Sequence, residues 1–166
     1  MIVTIWRHGQ AGNAVRDRDR ELTETGLDDV GFGCSQFLQL CEQRGIPVPD
    51  LILYSRWLRT SQTADIIGSR LPAASREACE ALIPGQRSPL VDSELQHRAQ
   101  DGAAQHIVLV SHQPLVSSLI DYYLDDPGRV APLVPGAFAS LQLDVAAMGC
   151  GRLLFSAQPP EFEGVL

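Results

Sequence analysis

Ile107-Val108-Leu109-Val110 runs straight into Ser111-His112-Gln113-Pro114. Four consecutive apolar residues, three of them β-branched, read as a strand buried on both faces. The polar residues that follow mark its exit from the core. Leu115, Leu119, Ile120 and Tyr123 then recur at helical spacing. Upstream the same strand-then-helix order repeats. Ile2 to Trp6 is a short β-rich run that ends at Arg7-His8-Gly9. A polar, charge-mixed loop from Gln10 to Glu21 leads to Thr23, a helix N-cap, and to Leu27, Val30, Cys34, Phe37, Leu38 and Cys41 at helical spacing. That pattern stops near Gly45-Ile46-Pro47.

Leu51 to Tyr54 is the next strand, broken at Ser55-Arg56 by a helix whose inner face is expected at Leu58, Ile66, Ile67 and Leu71, with Pro72 as its stop. Ala78 to Ile83 is expected to be a short strand, and Ser88-Pro89 to open a helix running to about Gln100. The chain closes differently. Ala139 to Leu143 and Leu153 to Ala157 read as two strands joined by a Gly149-Cys150-Gly151 turn, with no helix between them. These alternations predict a three-layer α/β/α sandwich: a mainly parallel sheet, helices on both faces, and an antiparallel C-terminal edge.

The 166 residues are 45% hydrophobic, which suits a single domain spanning 1–166 and burying ~70% of its unfolded surface without a metal or disulfide. A net charge of −7 argues against a nucleic-acid or anionic-membrane partner. The sequence contains no lysine, so all 13 basic residues are arginine and any anion site must use guanidinium forks, helix N-termini or histidine. The N-terminus lacks the basic and apolar regions of a signal peptide, and no apolar run reaches the ~20 residues of a membrane span. Cys34, Cys41, Cys79 and Cys150 form no C-x-x-C pair; Cys34 and Cys41, seven apart on one helix face, are expected to be core thiols, and a reducing cytoplasm is expected.

In open α/β sheets, ligands bind beyond the C-terminal ends of the strands. Three strand ends carry chemistry there: Arg7-His8-Gly9, then Ser55 with Arg59 one turn on, then Ser111-His112. Two arginines and two histidines around one point make a phosphate site with a nucleophile, the arginines neutralising the phosphoryl oxygens and a ring nitrogen attacking phosphorus. Gly9 is expected to let the backbone approach the anion. His97 and His106 read as surface or hydrogen-bonded structural residues, and Arg16, Arg18, Arg20, Arg44 and Arg70 as surface charges.

Ile5-Trp6-Arg7-His8-Gly9 resembles the R-H-G signature of the histidine phosphatase superfamily, the phosphoglycerate mutase-like fold. Leu22-Thr23-Glu24-Thr25-Gly26 is similar to its L-T-x-x-G helix start, and Ser55 to Ala64 to its S-x-x-x-R-x-x-Q-T-A segment. Val110-Ser111-His112 resembles its second-histidine motif, and all four occur in the family's order. The resemblance implies that His8 is the phosphorylated nucleophile, with Arg7, Arg59 and His112 completing the phosphate pocket and no metal or other cofactor. Asn13, Gln10 and Ser111 are further pocket candidates.

The short loops, and Ser111 to Val116 read as S-H-x-P-L-V, resemble the compact SixA-type phosphohistidine phosphatases. Larger relatives carry an acid in an L-x-E pattern where this chain has Leu82-Ile83-Pro84. An alkoxide leaving group needs such an acid, worth ~10²–10⁴-fold, far more than an imidazole does. Glu80, Glu21 and Glu24 are the candidate substitutes. The resemblance therefore implies an enzyme acting on a histidine phosphotransfer domain or a sugar-phosphotransferase carrier, and a monomer is the default expectation. The alternatives are a broad phosphomonoesterase acting on small metabolites and a catalytically silent phosphate-binding module.

Overall fold

The computed structural model describes residues 1–100 and 104–166. Six strands form one sheet: β1 (Ile2–Arg7), β2 (Leu51–Tyr54), β3 (Ser75–Ala78), β4 (His106–Ser111), β5 (Phe138–Leu143) and β6 (Gly151–Ala157). Their spatial order is β3-β2-β4-β1-β5-β6. β3, β2, β4 and β1 are mutually parallel, whereas β5 runs antiparallel to β1 and β6 antiparallel to β5. The helices are α1 (Glu24–Gln43), α2 (Leu58–Arg70), α3 (Ser88–Gln100) and α4 (Leu115–Leu124).

The period of two along each strand divides the core. Val3, Ile5, Ile107 and Leu109 pack with Val91 and Leu95 of α3 and with Leu119 and Tyr123 of α4. Trp6, Val108 and Val110 pack with Phe37 of α1 and Ile67 of α2. All six residues of β4 are buried, so its apolar run reflects helices on both faces. His106 is one of them. Its Nδ1–H donates to Pro47 O (2.6 Å), leaving Nε2 to accept from Thr4 Oγ1 (2.8 Å), which in turn accepts from Ser140 Oγ (2.8 Å). That closed chain satisfies three buried polar groups. Cys34, Cys41 and Cys79 are buried free thiols, and burial pushes Cys34 up to about 11 and Cys41 up to about 12.

Three expectations need correction. The short strand is Ser75–Ala78, not Ala78 to Ile83, where Glu80–Leu82 instead forms a 3-10 turn that buries Leu82. β3 lies at the sheet edge and is mostly exposed, so its polar residues gave no apolar signal. Leu27 is exposed, because Gly26 takes the inward position on α1. Leu58 and Ile66 are only half-buried, since the inner face of α2 is Arg59, Thr60, Thr63, Ala64 and Ile67. Three of those five are polar, which misplaces a stripe drawn from hydrophobicity.

Thr23 caps α1, its hydroxyl accepting from Gly26 N at 3.0 Å. The helix then crosses the loop after β1 at backbone distance. A Cβ on Gly26 would lie 2.2 Å from Gln10 O, and one on Gly9 would lie 2.8 Å from Gly26 O. Gly9 is thus required by helix packing rather than by approach to a ligand. Gly26→Ala should lower stability by ~1–3 kcal/mol despite alanine's better helix propensity. Gly31→Ala on the same helix, with nothing within 4 Å of its added Cβ, should stabilise by ~0.5–1 kcal/mol. Paired thermal melts check both. A Gly26→Ala melt at or above wild type would refute the close crossing.

Candidate active site

The parallel strands end on one edge, and short main-chain bonds extend the ladder beyond them. Arg7 pairs with Ser111 in register, His8 N donates to Ser111 O (3.1 Å), and Ser55 N donates to Val110 O (3.1 Å). This brings Arg7, His8, Arg59 and His112 onto one pocket of about 370 Å³, lined also by Gln10, Asp17, Arg20, Pro84, Gln113 and Pro135.

Two contacts set the tautomer of His8. Nδ1 lies 2.7 Å from Gly9 O, and a carbonyl can only accept, so the proton is on Nδ1. Nε2 therefore carries the lone pair, and Arg59 Nε–H donates to it at 3.1 Å. Burial is the main reason the His8 pKa falls to about 4; Arg59, Arg7 and Arg20 push the same way, against the Gly9 hydrogen bond. At neutral pH the ring is an uncharged base with its free nitrogen among guanidiniums.

Arg59 is 4% exposed, and three of its five N–H donors are engaged. Besides His8, it donates through Nη1 to Asp17 O (2.7 Å) and through Nη2 to Asp17 Oδ2 (3.3 Å), while its Cζ lies 4.9 Å from the centre of the Trp57 ring. Arg7 donates from Nη1 to Leu133 O (2.8 Å), and its buried Nε has no hydrogen-bond partner among the described residues. His112 stacks edge-on to His8, ring centres 5.1 Å apart. Its Nε2 is 2.9 Å from Ser55 Oγ, and its buried Nδ1 likewise has no partner among the described residues. Burial, then His8 and Arg59, push the His112 pKa down to about 3, so this ring is also neutral. The pocket thus holds two orphaned buried polar atoms, Arg7 Nε and His112 Nδ1, a cost that an anion in the pocket would offset.

The family-like segments act as scaffold. Gln62 Oε1 accepts from Leu22 N (2.8 Å), and Thr63 Oγ1 accepts from Gly9 N (3.2 Å), so consecutive residues of α2 hold both ends of the loop that carries Asp17. Ser111 does not turn to the pocket; its hydroxyl donates to Leu82 O (2.7 Å). Asn13 is exposed and outside the lining. Glu80 is exposed and bonded to Arg56 (2.7 Å), outside the lining, as are Glu21 and Glu24.

Sequence reasoning missed Asp17 and Arg20. Arg20, read as a surface charge, lines the pocket and is fixed by Gly12 O (2.6 Å), Ala11 O (3.3 Å) and Asp17 Oδ1 (3.1 Å). Asp17 bridges it to Arg59, and the Arg20 hydrogen bond chiefly holds its carboxyl below the usual carboxylate range. Neither has a periodicity to reveal it; the one available signal is that both lie on the loop leaving a strand end. Among the described residues no group of three or more His, Cys, Asp or Glu is placed to hold a metal ion, and no helix is long and apolar enough to cross a membrane.

Among solved structures, the chain is similar to the protein histidine phosphatase SixA complexed with tungstate: TM-score 0.77 and 28% identity, over 96% of this chain and 97% of that one. The chain shares the fold of these histidine phosphatases. A SixA-assigned protein from Agrobacterium tumefaciens matches with a TM-score of 0.74 at 22% identity, over 95% and 97% of the two chains. The alpha-ribazole phosphatase from Shigella flexneri matches at 0.65 and 17%, over 92% and 94%. No protein-family model and no curated protein matches the sequence. The histidine phosphatase neighbours support a hydrolase and share the mixed sheet and its antiparallel C-terminal strands.

Proposed function

We propose that this histidine phosphatase-like chain removes the phosphoryl group from a phosphohistidine-bearing protein through a phospho-His8 intermediate. One observation carries the reading: His8 presents an unprotonated Nε2 beside Arg59, in a pocket whose single lining carboxylate, among the described residues, is held ionised. Asp17 is tied to Arg59 and Arg20 and has no proton to give a leaving oxygen. Such a pocket favours an imidazole leaving group over an alkoxide. The likeness to SixA supports the same substrate class.

In this mechanism the phosphoryl oxygens take hydrogen bonds from Arg7, Arg59 and His112. Arg59 Nε–H passes from His8 Nε2 to a phosphoryl oxygen, Nε2 attacks phosphorus in line, the substrate's P–N bond breaks, and its imidazole, already protonated on the other ring nitrogen, leaves as the neutral ring. Phospho-His8 is then an imidazolium whose Nδ1–H still donates to Gly9 O, which stabilises its charge. Water attacks phosphorus, the P–Nε2 bond breaks, and inorganic phosphate carries off the water's proton. His112 need not be charged. With the Ser55 hydroxyl donating to Nε2, its Nδ1 holds a proton to donate.

The test is a paired assay with a phosphohistidine-bearing carrier and a simple alkyl phosphate. Release from the carrier with little from the ester is expected. The reverse preference would move the substrate to small phosphoesters, and silence on both would favour a binding module. The tautomer has its own check. In a ¹⁵N NMR titration His8 should stay neutral, with protonated Nδ1, from pH 8 down to about 5 and charge only near pH 4. Since a lowered pKa means the unfolded chain takes up the proton first, stability should fall as pH drops from about 6.5 towards 4. A His8 midpoint near 6.5 would contradict the buried geometry.

A further inference from the structure

The charges of this acidic chain are unevenly placed. From the last residue of each parallel strand through the first turn of the next helix, the site edge carries seven of the 13 arginines and five of the 20 carboxylates. Elsewhere six arginines face 15 carboxylates. A partner with an acidic surface is therefore repelled except where it meets this edge.

One part of that edge has the shape of a docking groove. A cleft of about 700 Å³ is lined by Arg18, Arg56, Trp57, Leu58 and Ile83, with Ser61 and one carboxylate, Asp19. It adjoins the phosphate pocket at Trp57, whose ring lies 5.3 Å from that of His112 and against Arg59. Arg18 and Arg56 are each 60% exposed or more. Their partners here, Asp19 at 3.8 Å and Glu80 at 2.7 Å, are themselves exposed, and such pairs are weak and screened by solvent. Apolar side chains sharing a cleft with two exchangeable guanidiniums match the tryptophan and arginine composition of protein-binding hot spots.

We infer that this groove docks an acidic segment of the substrate protein. Carboxylates flanking the phosphohistidine meet Arg18 and Arg56, and an apolar side chain lies on Trp57 and Leu58. The inference rests on the phosphohistidine reading and adds the charge of the surrounding chain as the basis of selection. Electrostatic complementarity at a rim acts mainly on the association rate, so it should show in kcat/KM.

Three peptides of equal length test it, each with one phosphohistidine, flanked by glutamates, glutamines or arginines. At low salt wild type should favour the glutamate over the arginine peptide by on the order of 10-fold, a gap that closes at high salt. The double variant Arg18→Glu and Arg56→Glu should reverse that order while leaving turnover of free phosphohistidine within about twofold of wild type. No preference among the peptides, or an equal loss on free phosphohistidine, would overturn the groove as the docking surface and leave the phosphatase reading standing. A wild-type protein that hydrolysed none of the peptides would overturn that reading, and the inference with it.

Discussion

Replacing His8 by alanine is expected to leave a folded protein with turnover reduced by at least ~10⁴-fold, because the attacking atom is gone and its substitute, water, has no positioned base. No other lining side chain can take over. His112 Nε2 is occupied by Ser55, and Asp17 is held between two arginines. The measurement is release of phosphate from a phosphohistidine carrier, with alkali-quenched labelling of the enzyme from radiolabelled substrate. Wild type should show an alkali-stable, acid-labile label, and His8→Ala should show none. His8→Asn serves as the second variant, keeping a polar group beneath Gly9 and separating lost chemistry from lost packing. A variant that kept even a tenth of the activity would end the phospho-His8 mechanism.

Arg59→Ala should lower kcat/KM by ~10²–10³-fold, the usual cost of removing one donor from a site where charge develops. Here the side chain does more than bind phosphate. Its Nε–H points at the His8 nitrogen that attacks, and one N–H on each terminal nitrogen holds Asp17, so one guanidinium positions the nucleophile and the loop together and keeps two donors for phosphate. Lysine cannot reproduce that fork, so Arg59→Lys should recover less than about a tenth of the lost activity. The variant should also weaken binding of vanadate or inorganic phosphate, measurable by titration calorimetry. Near-normal activity in Arg59→Ala would mean that Arg7 and Arg20 suffice, and would remove Arg59 from the mechanism.

The apolar run of β4 and the β-rich run of Ile2 to Trp6 were legible because burial on both faces leaves a direct mark on composition. The strand-end residues Arg7, His8 and His112 were legible for a related reason: polar groups stand where apolar runs stop. Arg59 was legible through its motif spacing, although its face of α2 was not. Hydrophobicity could not see that the buried stripe of this helix is built from Arg59, Thr60 and Thr63, whose polar atoms are satisfied internally. β3 escaped for the opposite reason, as an exposed edge strand whose residues have no reason to be apolar.

What the local chain determines by itself is therefore the parallel α/β arrangement and the four groups that it delivers to one edge. Tertiary structure alone decides what surrounds them. It ties Asp17 to Arg59 and Arg20, removes Glu80 to a solvent-exposed pair with Arg56, and turns Ser111 to the backbone of Leu82. It also makes Gly9 and Gly26 two sides of one backbone crossing. The physical reason is range. Periodicity and capping act within a few residues and leave their pattern in the sequence. Hydrogen bonds across 40 or more positions, such as Gln62 to Leu22 and Arg59 to Asp17, exist only once the layers have packed and brought their partners together.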